Sequence, residues 1–120
     1  MWKLDDRETY WYPVQVPMTD PETGRKQTFS FTAELRRLPQ SELEEFMGKI
    51  KAGIESGDPV RDLDVCERVF VGWRDIQAPD GSQLEVNDSN RQKVLDTHPA
   101  PKQIVLAWMR SLGMDGRAKN

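Results

Sequence analysis

Apolar side chains recur at every second residue between Tyr10 and Val16, at Tyr10, Tyr12, Val14 and Val16. That is the period of an extended strand with one buried face. Pro13 and Pro17 fall on the other phase. Proline donates no ladder hydrogen bond, so the strand is expected at a sheet edge or beside an irregular partner. The polar run at 19–24 combines Pro21, with its preset φ, and Gly24, able to take positive φ, which suits a chain reversal. A second strand over about 27–35 puts Phe29, Phe31, Ala33 and Leu35 on one face and Thr28, Ser30, Thr32 and Glu34 on the other. The pattern predicts a β-hairpin over residues 10–35.

After Leu38-Pro39 the period lengthens. Leu43, Phe46, Met47, Ile50 and Ile54 follow at helical spacing, with Ser41 and Glu44 spaced for a capping box and Gly57 as the stop. Asp58-Pro59 opens another segment, with Asp58 as cap and Pro59 in the first turn. Leu63, Cys66, Val69, Phe70 and Trp73 suit the buried stripe of a helix running to Trp73, although the β-branched run Val69-Phe70-Val71 also carries strand character. Pro79-Asp80-Gly81 marks a turn across which Trp73, Ile76, Leu84 and Val86 can pack as a short hairpin or looped arm. Asn87 or Asp88 caps a short helix carrying Val94 and Leu95, Pro99 closes it, and Pro101 starts the last helix. Ile104, Val105, Trp108, Met109 and Leu112 form that helix's broad apolar face, and Gly113 ends it. The expected architecture is α+β: a mainly helical single domain over residues 1–120, with an N-terminal hairpin, three to four helices over 41–113, a turn at 79–81 and a frayed tail at 114–120.

Length agrees with one domain, since 120 residues of which 37% are hydrophobic supply one modest core. A net charge of −3 with both signs interspersed offers no broad basic field, so nucleic acid is not expected as the main partner. Cys66 is the only cysteine, which rules out an internal disulfide and a cysteine zinc site. The segment from Met1 to Arg7 lacks the apolar core of a secretion signal, and no stretch approaches the roughly 20 apolar residues of a membrane span, so a cytosolic protein is expected.

Candidate chemistry is sparse. His98 is the sole histidine and has no partner at ligand spacing. Asp62, Asp64 and Glu67 lack the alternating ligands and central glycine of a calcium loop and read as a solvated helix face. Cys66, with no histidine to activate it, reads as a core thiol. Gly72, Gly81 and Gly113 are too dispersed to cradle a phosphate. No cofactor or metal is expected. If the chain were a small enzyme or regulator, Asp62, Asp64, Glu67 and Cys66 would be its least poor site residues.

The tryptophans leave two readings open. Trp73 and Trp108 suit a core, yet tryptophan is also enriched among residues that dominate binding energy. Near the N-terminus Trp2, Tyr10, Trp11 and Tyr12 put aromatic groups on both strand phases. A one-sided sheet cannot bury both, so a neighbouring subunit or an added strand is expected to cover the excess.

The order Val71-Gly72-Trp73-Arg74-Asp75, then Pro79-Asp80-Gly81-Ser82-Gln83-Leu84, a helix at 87–95, and Pro99 leading into a final helix to Leu112 resembles the tail assembly chaperones of long-tailed bacteriophages. The likeness covers roughly the last third of the chain. It implies a non-catalytic protein of the host cytoplasm, absent from the finished virion, that binds the tape measure protein, keeps its apolar helices from aggregating and helps recruit tail tube subunits. It also implies self-association, and a short form of a protein often extended by ribosomal frameshifting. On this expectation Trp73, Leu84, Trp108 and Met109 support or contact a client groove between the last helix and the Trp73 arm, while Tyr10 and Trp11 serve self-association. The alternative is a head-to-tail connector or minor tail protein retained in the virion.

Overall fold

The two period-2 runs form an eleven-residue antiparallel pair, β1 (Thr9–Thr19) and β2 (Lys26–Arg36), in the computed structural model, which describes residues 1–114. Tyr10 pairs with Leu35, Tyr12 with Ala33, Val14 with Phe31 and Val16 with Phe29, so the two apolar faces coincide. The hairpin is slightly longer at both ends than its apolar pattern, because ladder pairing does not require apolar side chains. The chain continues through α1 (Gln40–Ser56), α2 (Asp62–Val69), β3 (Phe70–Arg74), α3 (Asp88–Leu95) and α4 (Ala100–Ser111). Among the described residues the fold is thus a small α+β arrangement of four helices on one antiparallel sheet of order β1-β2-β3.

Strand β1 is an edge, as its prolines require. At the two ends of the hairpin the Arg37 N–H donates to the Glu8 carbonyl and the Asp20 N–H to the Arg25 carbonyl, both at 2.8 Å. Even-numbered residues of β1 therefore aim their backbone groups at β2, and odd-numbered ones, including Pro13 and Pro17, aim theirs outward. Two of the outward donors are thereby missing, and an added strand would find an interrupted ladder.

The third strand departs from the helix expected through Trp73. Helix α2 stops at Val69, and Phe70–Arg74 pairs with β2, Ala33 opposite Trp73 and Glu34 opposite Gly72, with an irregularity between Glu34 and Leu35. A stripe at Leu63, Cys66, Val69, Phe70 and Trp73 satisfies helical spacing. The second edge of the hairpin decides the outcome, because it supplies hydrogen bonds and a flat apolar face to an extended segment rich in β-branched and aromatic residues. At Gly72 a Cβ would lie 3.0 Å from the Glu34 carboxylate, so this crossing suits glycine.

The N-caps expected for the first two helices also differ. Helix α1 starts at Gln40 with Pro39 as cap, and the Leu43 N–H donates to the Pro39 carbonyl at 2.9 Å. Pro39, with its preset φ, sets the entry one residue earlier, so Ser41 lies inside the first turn and no Ser41–Glu44 box forms. Gly57 ends α1 as expected, at φ +82°. Asp58 is then consumed in turning the chain back, its N–H donating to the Gly53 carbonyl at 2.8 Å, and a Cβ on Gly53 would lie 2.7 Å from the Asp58 carbonyl. The cap of α2 is instead Arg61, whose guanidinium donates to the Asp64 carboxylate at 3.0 Å.

The later elements follow the expected order. The Asn87 side chain accepts the Asn90 N–H at 2.8 Å and caps α3. Pro101 lies in the first turn of α4, and Gly113, at φ +73°, donates to the Arg110 carbonyl beyond its last turn. Of the tail expected to fray, residues 115–120 lie outside the described residues.

The core lies between the sheet and α4, which rests against β1 and α2. Val14, Ala33, Leu35, Cys66, Val69, Phe70, Ile104, Ala107 and Trp108 are at most 1% exposed. Helix α1 joins it chiefly through Phe46, whose ring lies 5.9 Å from that of Trp108. Arg91 of α3 ties the junction between α2 and β3. Its guanidinium donates to the carbonyls of Phe70 at 2.8 Å and Cys66 at 3.0 Å, and pairs with the Glu67 carboxylate at 3.0 Å. A fixed cation thus sits at the end of α2, where the helix dipole favours positive charge and the Cys66 carbonyl also accepts the Phe70 N–H.

Candidate functional site: an apolar groove

The hairpin outruns the helices that cover it. At its far end Val16 and Met18 of β1 and Phe29 and Phe31 of β2 continue the core face, while the looped arm after β3 and the end of α3 rise on the other side. Between them lies an open groove of about 560 Å³, floored by Val16, Met18, Phe29 and Phe31 and walled by Ile76 and Val94. Phe29 is 41% exposed there, a large cost for an aromatic ring left in water.

The arm is held rigidly. The Ala78 N–H donates to the Ser82 carbonyl at 2.7 Å, the Gly81 N–H to the Ala78 carbonyl at 2.9 Å, and the Leu84 N–H to the Ile76 carbonyl at 2.8 Å. Gly81, at φ +87°, supplies the left-handed turn residue that Pro79-Asp80-Gly81 predicts. The Trp73 indole N–H donates to the Leu84 carbonyl at 3.1 Å, fastening the arm to the core. Gln77, Gln83 and Thr97 bring uncharged polar residues to the edge of the groove. Asp75 is the one acidic or basic residue along the groove among the described residues, and its carboxylate accepts the Thr32 hydroxyl at 3.3 Å, on the sheet face away from the groove floor.

The residues expected to bind a client do not form this groove. Trp73 is 2% exposed, stacked on Phe70, and Trp108 is 1% exposed, tilted against Phe46. Both belong to the core and offer no free indole face, so direct contact is withdrawn for them and support remains. Leu84 and Met109 are half-buried and lie outside the lining. The groove also differs in place from the one expected between the last helix and the arm: α4 contributes only Ala100, and the sheet supplies the floor.

Tyr10 and Trp11 lie on opposite faces of β1. The Tyr10 hydroxyl is shared with Ser111 at 2.7 Å, and its half-buried setting raises its pKa, so it bridges β1 to α4 and is no free contact. Trp11 is 42% exposed on the outer face, with the Arg74 guanidinium 4.2 Å from its ring centre across β2.

Nor does the fold gather the acidic residues of α2 around the thiol. Asp64 pairs with Arg61, Glu67 pairs with Arg91, and Cys66 is fully buried with its Sγ 3.4 Å from the Pro101 carbonyl. Among the described residues no three His, Cys, Asp or Glu side chains form a group that could hold a metal. No described helix is long and apolar enough to cross a membrane. Burial, reinforced by the Asp62 charge, pushes the Cys66 thiol up to about 12. Because the folded pKa lies above the unfolded value, the thiol's contribution to stability is complete below the unfolded value and is lost as pH rises through the folded one. A disulfide reagent should therefore leave Cys66 unmodified in the native protein at pH 8 and react at once in strong denaturant. Rapid native labelling would contradict the burial.

Comparison with protein-family models, curated proteins and solved structures gives no match to this chain.

Proposed function

We propose that the protein is a non-catalytic phage tail assembly chaperone that binds the tape measure protein, keeps it soluble and helps recruit tail tube subunits. The observation that supports this reading best is the groove: a preformed apolar trough on a rigid sheet, open along its length and rimmed by uncharged polar groups. An amphipathic helix laid in such a trough buries side chains from successive turns while its polar face stays in water. A tape measure protein rich in such helices would present many equivalent segments. Each contact is modest, so several copies hold one client by avidity and yield segment by segment as tube subunits arrive.

Co-expression with the tape measure protein of the same genome, followed by size-exclusion chromatography with light scattering, tests the reading. A soluble complex should form where the client alone precipitates. Phe29→Glu, a change at a partly exposed position, should leave the circular dichroism spectrum unchanged and lower client affinity at least about tenfold, the effect of losing one good apolar anchor and placing charge in its pocket. No association by the unaltered protein would overturn the reading, and presence in purified virions would favour the connector or minor tail alternative.

A further inference from the structure

A smaller pocket lies at the end of the hairpin away from the groove, where the start of β1, the exit from β2, α1 and the end of α4 meet. It holds about 220 Å³. Its apolar lining is Leu38, Leu43, Trp108 and Leu112, of which the three leucines are half-buried. Tyr10, Ser111 and the arginine pair at 36–37 supply the polar lining.

The hydrogen-bond accounting leaves two groups there with capacity to spare. Ser111 spends its one hydroxyl proton on the Trp108 carbonyl at 2.6 Å, so in the 2.7 Å contact with Tyr10 the phenol is the donor. The Tyr10 oxygen keeps its lone pairs and can still accept. Arg37 stands on the same face of the hairpin, since its N–H pairs with the Glu8 carbonyl two residues beyond the Tyr10–Leu35 pair, and its charge is felt at the Tyr10 hydroxyl. Among the described residues no carboxylate forms a salt bridge with Arg37: Asp5 is taken by Arg7 and Glu42 by Arg68. The Arg37 guanidinium makes one long hydrogen bond, to the Asp5 carbonyl at 3.3 Å, and its remaining donors are unspent.

We infer that this pocket binds an apolar amino-acid residue with a free α-carboxylate and an acylated nitrogen, the group shared by an N-acyl amino acid and the last residue of a peptide chain. The carboxylate would pair with the Arg37 guanidinium, whose planar fork matches it. A leucine-sized side chain would lie among Leu38, Leu43 and Leu112, and the acylated N–H would donate to the Tyr10 oxygen. A cation, an acceptor and an apolar wall around so small a space suit this group better than inorganic phosphate, which has nothing to set against the leucines. The volume falls below the roughly 300–1,000 Å³ of drug-sized ligand sites, so the affinity should be modest. The client groove lies at the other end of the hairpin, so neither site depends on the other.

Heteronuclear NMR titration of the full chain with N-acetyl-leucine should give saturable shifts centred on Leu38, Ser111 and Leu112 and leave Phe29 unmoved. N-acetyl-leucinamide, with the same body and no charge, should bind at least about tenfold more weakly, the effect of losing a charge-assisted hydrogen bond. Arg37→Gln, at an exposed position, should keep the circular dichroism spectrum and abolish the preference for acid over amide. Tyr10→Phe should weaken N-acetyl-leucine and spare isocaproate, which has no N–H to give. An acetylated tetrapeptide ending in leucine separates the two sources: tighter binding than N-acetyl-leucine assigns the site to a chain end, and equal or weaker binding assigns it to a free acylated amino acid. The inference is overturned by the absence of saturable shifts with N-acetyl-leucine, by equal binding of acid and amide, by an acid preference that survives Arg37→Gln, or by equal losses for both acids in Tyr10→Phe. None of these results bears on the client reading, which rests on the groove.

Discussion

Replacing Trp108 by alanine is expected to cost about 3–5 kcal/mol, the range for removing a fully buried large aromatic. Its indole is 1% exposed and occupies the middle of α4, where it meets Phe46 of α1. Phe46 is the one buried residue of α1, so the cavity opens at that helix's main anchor. A small domain is stable by about 5–15 kcal/mol, and the loss would consume much of it. Urea denaturation followed by circular dichroism should show the midpoint falling sharply, and Trp108→Phe, which keeps a ring against Phe46, should recover a good part. A loss below about 1 kcal/mol would mean that the α1–α4 contact is not part of the cooperative core.

Arg91→Leu is expected to rank next, at about 2–4 kcal/mol, although the side chain sits on an otherwise polar helix. The substitution removes the side-chain donor from the Phe70 and Cys66 carbonyls, the latter keeping the Phe70 N–H, and frees the Glu67 carboxylate, and losing partners at part-buried groups costs more than formed bonds gain. Arg91→Lys should recover less than half, because an ammonium cannot reproduce the planar fork across two carbonyls and a carboxylate. The acid side of the stability curve carries a second sign of the same contact. The hydrogen bond from Arg91 holds Glu67 below its ordinary value against the opposing effect of burial, with the Gln92 hydrogen bond and the Arg91 charge adding to it. A native pKa depressed in this way contributes stability above the unfolded carboxylate value and loses it as pH falls through the native one. The Leu variant should therefore lose less stability on mild acidification than the parent. Glu67 is 47% exposed, so solvent screening keeps this part of the effect small beside the lost carbonyl contacts.

The elements legible in the sequence were those whose signal is local. The hairpin is written in alternation, the arm in Pro79-Asp80-Gly81, and the ends of α1, α3 and α4 in Gly57, Asn87 and Gly113. The third strand was not legible, because Val69, Phe70 and Trp73 fit both periods and only the edge of β2 separates them. The caps at Ser41 and Asp58 failed for a related reason: each had the right side chain, but Pro39 and the return over Gly53 had already set the path. The groove was hidden more deeply. Val16, Phe29, Ile76 and Val94 come from four segments, and each reads as ordinary core until pairing shows that the hairpin outruns its cover. Trp73 and Trp108 drew attention by size, while Arg91 looks like any arginine on a short polar helix. Of the two residues expected to serve self-association, Tyr10 is tied to Ser111 and Trp11 is partly exposed beneath the Arg74 guanidinium.

Pro13 and Pro17 bear on how such a protein tolerates crowding. On the proposed function the protein works where many sticky segments gather at high local concentration, the condition under which an open strand edge seeds fibres. With two outward donors missing from β1, this edge is a poor template for the next chain, so clusters of the protein should remain dispersible. Seeded-growth assays at high concentration would read this directly: the parent should stay free of amyloid-dye signal, and Pro13→Thr/Pro17→Thr, which restores a continuous edge, should acquire it.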